Sequence, residues 1–196
     1  MREHTREELL ARYPLRKADI EEPLETNEVP GLRIRHSFGD SVLTEQIRLS
    51  QDGTAVELEI EVDWHEQQKL LKLAFPLDVH ADRAASEIQF GHIYRPTHSN
   101  TSWDAARFET VAHRWIHVAE PGYGVALAND ATYGYDIGRA ALADGAGTYT
   151  SVRASLLRAP LFPDPGADQG RHAFRFSLWP NAGIPEAVAE GYRLNL

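Results

Sequence analysis

The stretch from Glu87 to Glu109, EIQFGHIYRPTHSNTSWDAARFE, holds the densest set of chemically capable side chains in the sequence. It opens as a strand, breaks at Arg95-Pro96, and runs through polar turn-formers into Trp103-Asp104. Arg95, His98, Asn100, Trp103 and Asp104 thus fall on one predicted loop. Rigid scaffolds usually present binding groups in this way. The competing reading is a loop whose polar side chains bond to one another. A second polar turn gathers Asn129, Asp130 and Tyr133. His113 and His117, four apart, face the same way on a helix or a strand, but two histidines without a third ligand are a weak zinc signal. His65-Glu66 begins like the zincin HExxH, yet Lys69 stands where the second histidine belongs. That motif is a non-match.

These loops need elements to hold them. From Val56 to Trp64 the alternation is strict, with Val56, Leu58, Ile60, Val62 and Trp64 on one face and Glu57, Glu59, Glu61 and Asp63 on the other. A period of two marks a strand with one buried and one wet face. Leu71 to Val79 repeats the pattern, and Ile88, Phe90, His92 and Tyr94 read as a single strand. Leu32, Ile34 and Phe38 suggest an earlier strand, and Leu43, Ile47 and Leu49 another. Residues 110–118, 124–129, 148–158 and 172–179 are further candidates. Gln51-Asp52-Gly53, Pro121-Gly122 and residues 144–147 and 163–170 supply the turns. Trp64 and Trp115 alternate with apolar neighbours and belong to the core. Such spacing predicts an all-β antiparallel sandwich. Two short helices fit: residues 7–13, with Thr5 and Glu8 spaced as a capping box, and Pro185 to Glu190, stopped by Gly191. Tyr192, Leu194 and Leu196 alternate like the first half of a strand, which suggests a chain cut within its last strand. The expected organisation is a lead-in over 1–30 and a sandwich over 31–196.

Composition narrows the function classes. At 196 residues the chain fits one large β domain. A net charge of −9 argues against nucleic-acid binding, which needs clustered Lys and Arg. No apolar run is long enough for a membrane span, and the N-terminus lacks a secretory apolar region. The absence of cysteine excludes disulfides, thiolate metal sites and a cysteine nucleophile. It also suits a reducing, cytoplasmic setting.

FGH, RPTHSNTSWD and ARFE occur in an order that resembles the C-terminal region of the glycoside hydrolase family 38 α-mannosidases, of the subgroup related to cytosolic and bacterial enzymes. Val62 to Glu66, Leu70 to Val79, His113-Arg114-Trp115, Gly122 to Leu127, Asn129-Asp130, Tyr133 to Asp136, Ser155 to Pro160, Pro163-Asp164-Pro165 and Asp168-Gln169-Gly170 extend the resemblance over roughly residues 33–196. It implies a large sandwich of the galactose-mutarotase-like type, a super-sandwich, with more sandwich after residue 196. It also implies that the nucleophilic aspartate and the zinc sit in a separate α/β-barrel domain. No catalytic residue, metal or cofactor is then expected in this chain, which alone should be inactive. Its expected partners are an α-mannoside or oligosaccharide and that barrel, with self-association through the face the barrel would cover.

Retaining hydrolysis needs two carboxyl groups about 5–5.5 Å apart, and Asp104, Glu109 and Asp130 are the tempting ones here. Carboxylates that accept backbone N–H bonds in tight loops are the competing explanation. For sugar contact, Arg95, His98, Asn100, Asn129, Asp130 and Asp104 would meet hydroxyls, and Trp103 and Tyr133 would cover ring faces. A free-standing carbohydrate-binding module is the alternative from another class. A mutarotase-like epimerase, with His92 or His172 beside Glu87, rests on fold analogy alone.

Overall fold

Alternating strands dominate the computed structural model, which describes residues 19–24, 31–143 and 145–196. The strands are β1 (Asp19–Leu24), β2 (Gly31–Phe38), β3 (Ser41–Leu49), β4 (Val56–Trp64), β5 (Leu71–Leu77), β6 (Arg83–Ile88), β7 (Gly91–Pro96), β8 (Thr110–Val111), β9 (Trp115–Glu120), β10 (Tyr123–Asn129), β11 (Gly134–Ala141), β12 (Thr148–Leu157) and β13 (Gly170–Pro180). Among the described residues two helices accompany them, α1 (Ser102–Ala105) and α2 (Ile184–Asn195). The proposed helix over residues 7–13 lies outside the described residues. β1 pairs with β2, so the sheet already reaches into the stretch read as a lead-in.

The larger sheet runs β1-β2-β3-β4-β13-β10-β9-β6-β7 and the smaller β5-β12-β11-β8. Every pairing is antiparallel. The sheets bury a shared core in which Leu58, Ile60, Val62 and Trp64 of β4 meet Phe75, Tyr135, Val152 and Phe176. Trp64 is 1% exposed, as its alternation requires. The opposite face of β4 carries its acids, where Arg48 pairs with Glu57 and Glu59 and Arg193 reaches Glu57. At the Pro121-Gly122 turn Glu120 pairs with Tyr123, and Gly122 takes φ +86°, the left-handed position a type II turn gives to glycine.

Helix α2 lies on the outer face of the larger sheet, against Trp115, Ala126 and Ala128. It corrects two expectations. The helix does not stop at Gly191, and residues 192–196 are not a strand. Ala187, Glu190, Gly191 and Leu194 are its buried positions, an i, i+3, i+4, i+7 stripe that five alternating residues at the end had disguised. Gly191 is a packing glycine: a Cβ there would lie 2.8 Å from Trp115 Cδ1.

Three other strand readings change. Ile88 to Tyr94 is a hairpin, since Ile88 pairs with Gly91 and Phe90 sits fully exposed in the turn at φ +66°. Residues 110–118 divide between sheets, β8 joining the smaller and β9 the larger. Residues 134–141, absent from the expected strands, form β11, whose two glycines hid the alternation.

Candidate functional site

The short strand β8 determines where the sandwich opens. It pairs with β11 only at Gly134 and Tyr135, so beyond that point the smaller sheet has an uncovered edge. Across from it runs β7, the last strand of the larger sheet. Between them lies a cleft of about 700 Å³, closed at one end by α1 and the residues after it. That is a size typical of small-molecule sites.

Arg95, His98 and Asp104 line this cleft together. Arg95 Nη1 donates to the Val111 carbonyl at 2.9 Å, tying β7 to β8. Asp104 belongs to a capping box. Its Oδ2 accepts from the Thr101 N–H at 3.2 Å and the Thr101 hydroxyl at 2.8 Å, while the Thr101 hydroxyl accepts from the Asp104 N–H. The bond from the Thr101 hydroxyl is the largest cause holding the Asp104 carboxyl below its usual range, with His98 and Arg107 adding to it. His98 Nδ1 stands 3.8 Å from that carboxylate. Asn100 and Trp103 are exposed on the same loop and helix but do not line the cleft. Trp103 is 79% exposed.

The second segment goes elsewhere. Asn129 ends β10 and is 2% exposed. Its Nδ2 donates to the His113 carbonyl at 2.8 Å, and its Oδ1 accepts from the Thr132 N–H at 2.7 Å. This corrects the expectation of a sugar-facing amide, because Asn129 secures the crossing from one sheet to the other. Asp130 accepts from Arg175 N at 2.9 Å and Arg175 Nε at 2.8 Å, beside the end of α2. Tyr133 is exposed, its ring edge-on to His113 at 6.0 Å. The two polar segments therefore do not converge on one pocket.

What the sequence did not reveal is the charged cluster that ties up Glu109 and Asp136, two residues of the cleft lining. Lys72 Nζ donates to Glu109 Oε1 at 2.7 Å and to Asp136 Oδ2 at 2.5 Å. Arg153 Nε donates to Asp136 Oδ1 at 2.6 Å, and the Ser155 hydroxyl to Glu109 Oε1 at 2.6 Å. Lys72 is outward by its place between Leu71 and Leu73, but its partners lie 37 and 64 residues away, which only topology brings together. Burial alone would lower the Lys72 ammonium; the bonds to Asp136 and Glu109 outweigh it and raise it. Lys72, then Ser155, hold Glu109 below the usual carboxylate range. A general acid at neutral pH needs the opposite shift, so neither Glu109 nor Asp104 is set up to protonate a leaving group.

The other candidates are equally committed. Glu87 accepts from Arg114 N at 2.7 Å and from Arg114 Nη2 at 2.5 Å, and that guanidinium stacks on Tyr192. His172 Nε2 meets the Asp168 carbonyl at 3.0 Å. His92 is the cross-strand neighbour of Glu87, but its ring packs against Tyr94 and Trp115 while Glu87 bonds Arg114, so among the described residues the two form no hydrogen-bonded acid–base pair. Glu66 of the zincin look-alike is buried and accepts from Asp40 N, the Ser41 hydroxyl and Lys69, closing the β2–β3 turn. Among the described residues no three His, Asp or Glu side chains gather as metal ligands. No described helix is long and apolar enough to cross a membrane.

The comparisons with known proteins agree with this architecture. Residues 9–166 match the family described as the glycosyl hydrolases family 38 C-terminal domain, starting earlier and ending sooner than the motifs had suggested. Alpha-mannosidase 2C1 of Homo sapiens is 46% identical over 159 residues, and alpha-mannosidase G of Dictyostelium discoideum 41% over 162. Each match covers 80% of this chain and 14% of the relative, so the chain spans a small part of those proteins' length. An α-mannosidase from Enterococcus faecalis V583 superposes with a TM-score of 0.70 at 16% identity, covering 89% of this chain and 24% of that one. On its sequence match over most of its length, the chain belongs to the glycosyl hydrolase family 38 C-terminal domain family.

Proposed function

We propose that this chain is the sandwich domain of a cytoplasmic α-mannosidase, supplying a wall of the substrate cleft and no catalytic group. Family membership carries the reading, and the site supports it: the carboxylates at the cleft are held by Lys72, Arg153 and a capping box. Retaining hydrolysis, with its nucleophile and its zinc, then belongs to a separate barrel domain. The donor set for zinc is not assembled among the described residues. Sugar contact falls to the β7–α1 loop, where Arg95, His98 and Asn100 offer polar groups and Trp103 an exposed ring. Trp103, Phe108, Val111 and Tyr133 are each more than half exposed, as suits a rim that a neighbouring domain covers.

The test is an amide NMR titration of the 196-residue chain with methyl α-mannoside. Shifts confined to residues 95–104 are expected at millimolar ligand. A spectrum that does not change would remove this loop from sugar recognition.

A further inference from the structure

The charges around the cleft are not all answered alike. Glu109 and Asp136 share Lys72, and Asp136 also holds Arg153. Asp104 is tied into its capping box. Arg95 differs. It is the cross-strand neighbour of Ala84, and Ala84 belongs to the core between the sheets. Opposed residues share a face, so the Arg95 side chain enters the open edge of the sandwich from the inner side. There its acceptor is a neutral carbonyl, Val111 O, and no carboxylate of the described residues pairs with it. Its burial, with no counter-charge, pulls the guanidinium below its ordinary value. A guanidinium has five N–H donors in a planar fork, and one bond leaves most of that fork unused.

Two more polar atoms of the lining residues lack a hydrogen bond, although His98 Nδ1 lies 3.8 Å from the Asp104 carboxylate. Thr110 Oγ1 and His98 Nδ1 are buried and make no hydrogen bond. The rest of the lining includes Ile93, Phe108, Val111 and Ile137, an apolar surface that suits the face of a small ring. Glu109 and Asp136 are answered from outside the lining by Lys72 and Arg153, and Arg107 acts on Asp104 through its charge, whereas Arg95 pairs with no carboxylate among the described residues.

We propose that this cleft is an anion-accepting site, in which the Arg95 guanidinium takes the carboxylate of a sugar-sized acid of the uronic acid class. The planar fork matches a carboxylate through two parallel bonds, and the cleft volume fits one such ring. The site goes beyond the mannoside reading and does not depend on it.

Calorimetric titration of the 196-residue chain with sodium glucuronate, glucose and methyl α-mannoside tests the proposal. Glucuronate is expected to bind roughly tenfold or more tighter than either neutral sugar, and its affinity should fall as salt is added. Arg95→Gln should abolish the preference. Arg95→Lys, which keeps the charge and loses the fork, should retain part of it; it also serves if Arg95→Gln unfolds. Absence of glucuronate binding, or a preference that survives Arg95→Gln, overturns the site. Equal binding of glucuronate and the mannoside also overturns it, while leaving the sugar-contact reading intact.

Discussion

Gly124→Ala is the substitution whose cost the structure defines most sharply. Gly124 lies in β10 beneath the connection from β13 to α2. A Cβ at this position would stand 2.6 Å from the Ala182 carbonyl oxygen, 2.6 Å from His117 Nε2 and 3.2 Å from Ala119 Cβ. The first obstacle is backbone and cannot rotate away. It is fixed in turn by the Ala182 N–H bond to the Gly124 carbonyl at 3.0 Å and by His117 Nε2 at 2.8 Å. Overpacking costs about 2 kcal/mol, and loosening one of those bonds costs about 1 kcal/mol more. For a domain of this size, about 3 kcal/mol corresponds to a fall of roughly 6–12 °C in Tm. Gly122→Ala is the control two residues away. Gly122 has φ +86° but nothing within 4 Å of its Cβ position, so it should cost only the left-handed penalty of about 1 kcal/mol. Thermal unfolding followed by circular dichroism reads both. A Gly124→Ala melt within about 2 °C of the parent, or a Gly122→Ala melt lower than that of Gly124→Ala, would refute the argument.

Three further outcomes are expected. Burial lowers the His117 pKa, against opposing effects from the Ala182 bond and Glu186. The folded chain therefore holds fewer protons there than the unfolded one, and stability should be full above about pH 6.5 and fall as pH drops through the depressed value. Urea unfolding at several pH values should show this slope and its flattening in His117→Leu; an unchanged slope in the variant would contradict it. Lys72→Met leaves Glu109 and Asp136 side by side without their shared cation. Its cost should be about 2 kcal/mol at neutral pH and shrink as the acids protonate; a loss equal at pH 7 and pH 4 would count against the pairing. Gly191→Ala should destabilise by about 1 kcal/mol or more despite alanine's better helix propensity, because its Cβ meets the Trp115 ring. A stabilised variant would show that α2 does not pack as described.

The sheet-forming alternation was legible wherever one face was buried and the other charged, as in β4, because period two survives every local context. It failed where alternation was short or interrupted. Tyr192, Leu194 and Leu196 imitate a strand over five residues, whereas the helical stripe through Ala187, Glu190, Gly191 and Leu194 shows only over eight. At β11, Gly134 and Gly138 remove the side chains that would have marked a face. The site was half legible. Turn chemistry placed Arg95, His98 and Asp104 on one loop, and they do share a cleft. Composition could not show that Asn129 faces inward, nor that Lys72 joins Glu109 to Asp136. Those facts depend on which strands cross between sheets, and the two-residue β8 gives no periodic signal of its crossing.

The central proposal is that this domain serves an α-mannosidase yet holds no catalytic group of its own. An assay with p-nitrophenyl α-mannoside, with and without added zinc or cobalt, tests that most directly. The account predicts no turnover by the 196-residue chain under any of these conditions. Turnover that survives purification and is abolished by Asp104→Asn or Asp130→Asn would contradict it, and would place an active site within the sandwich itself.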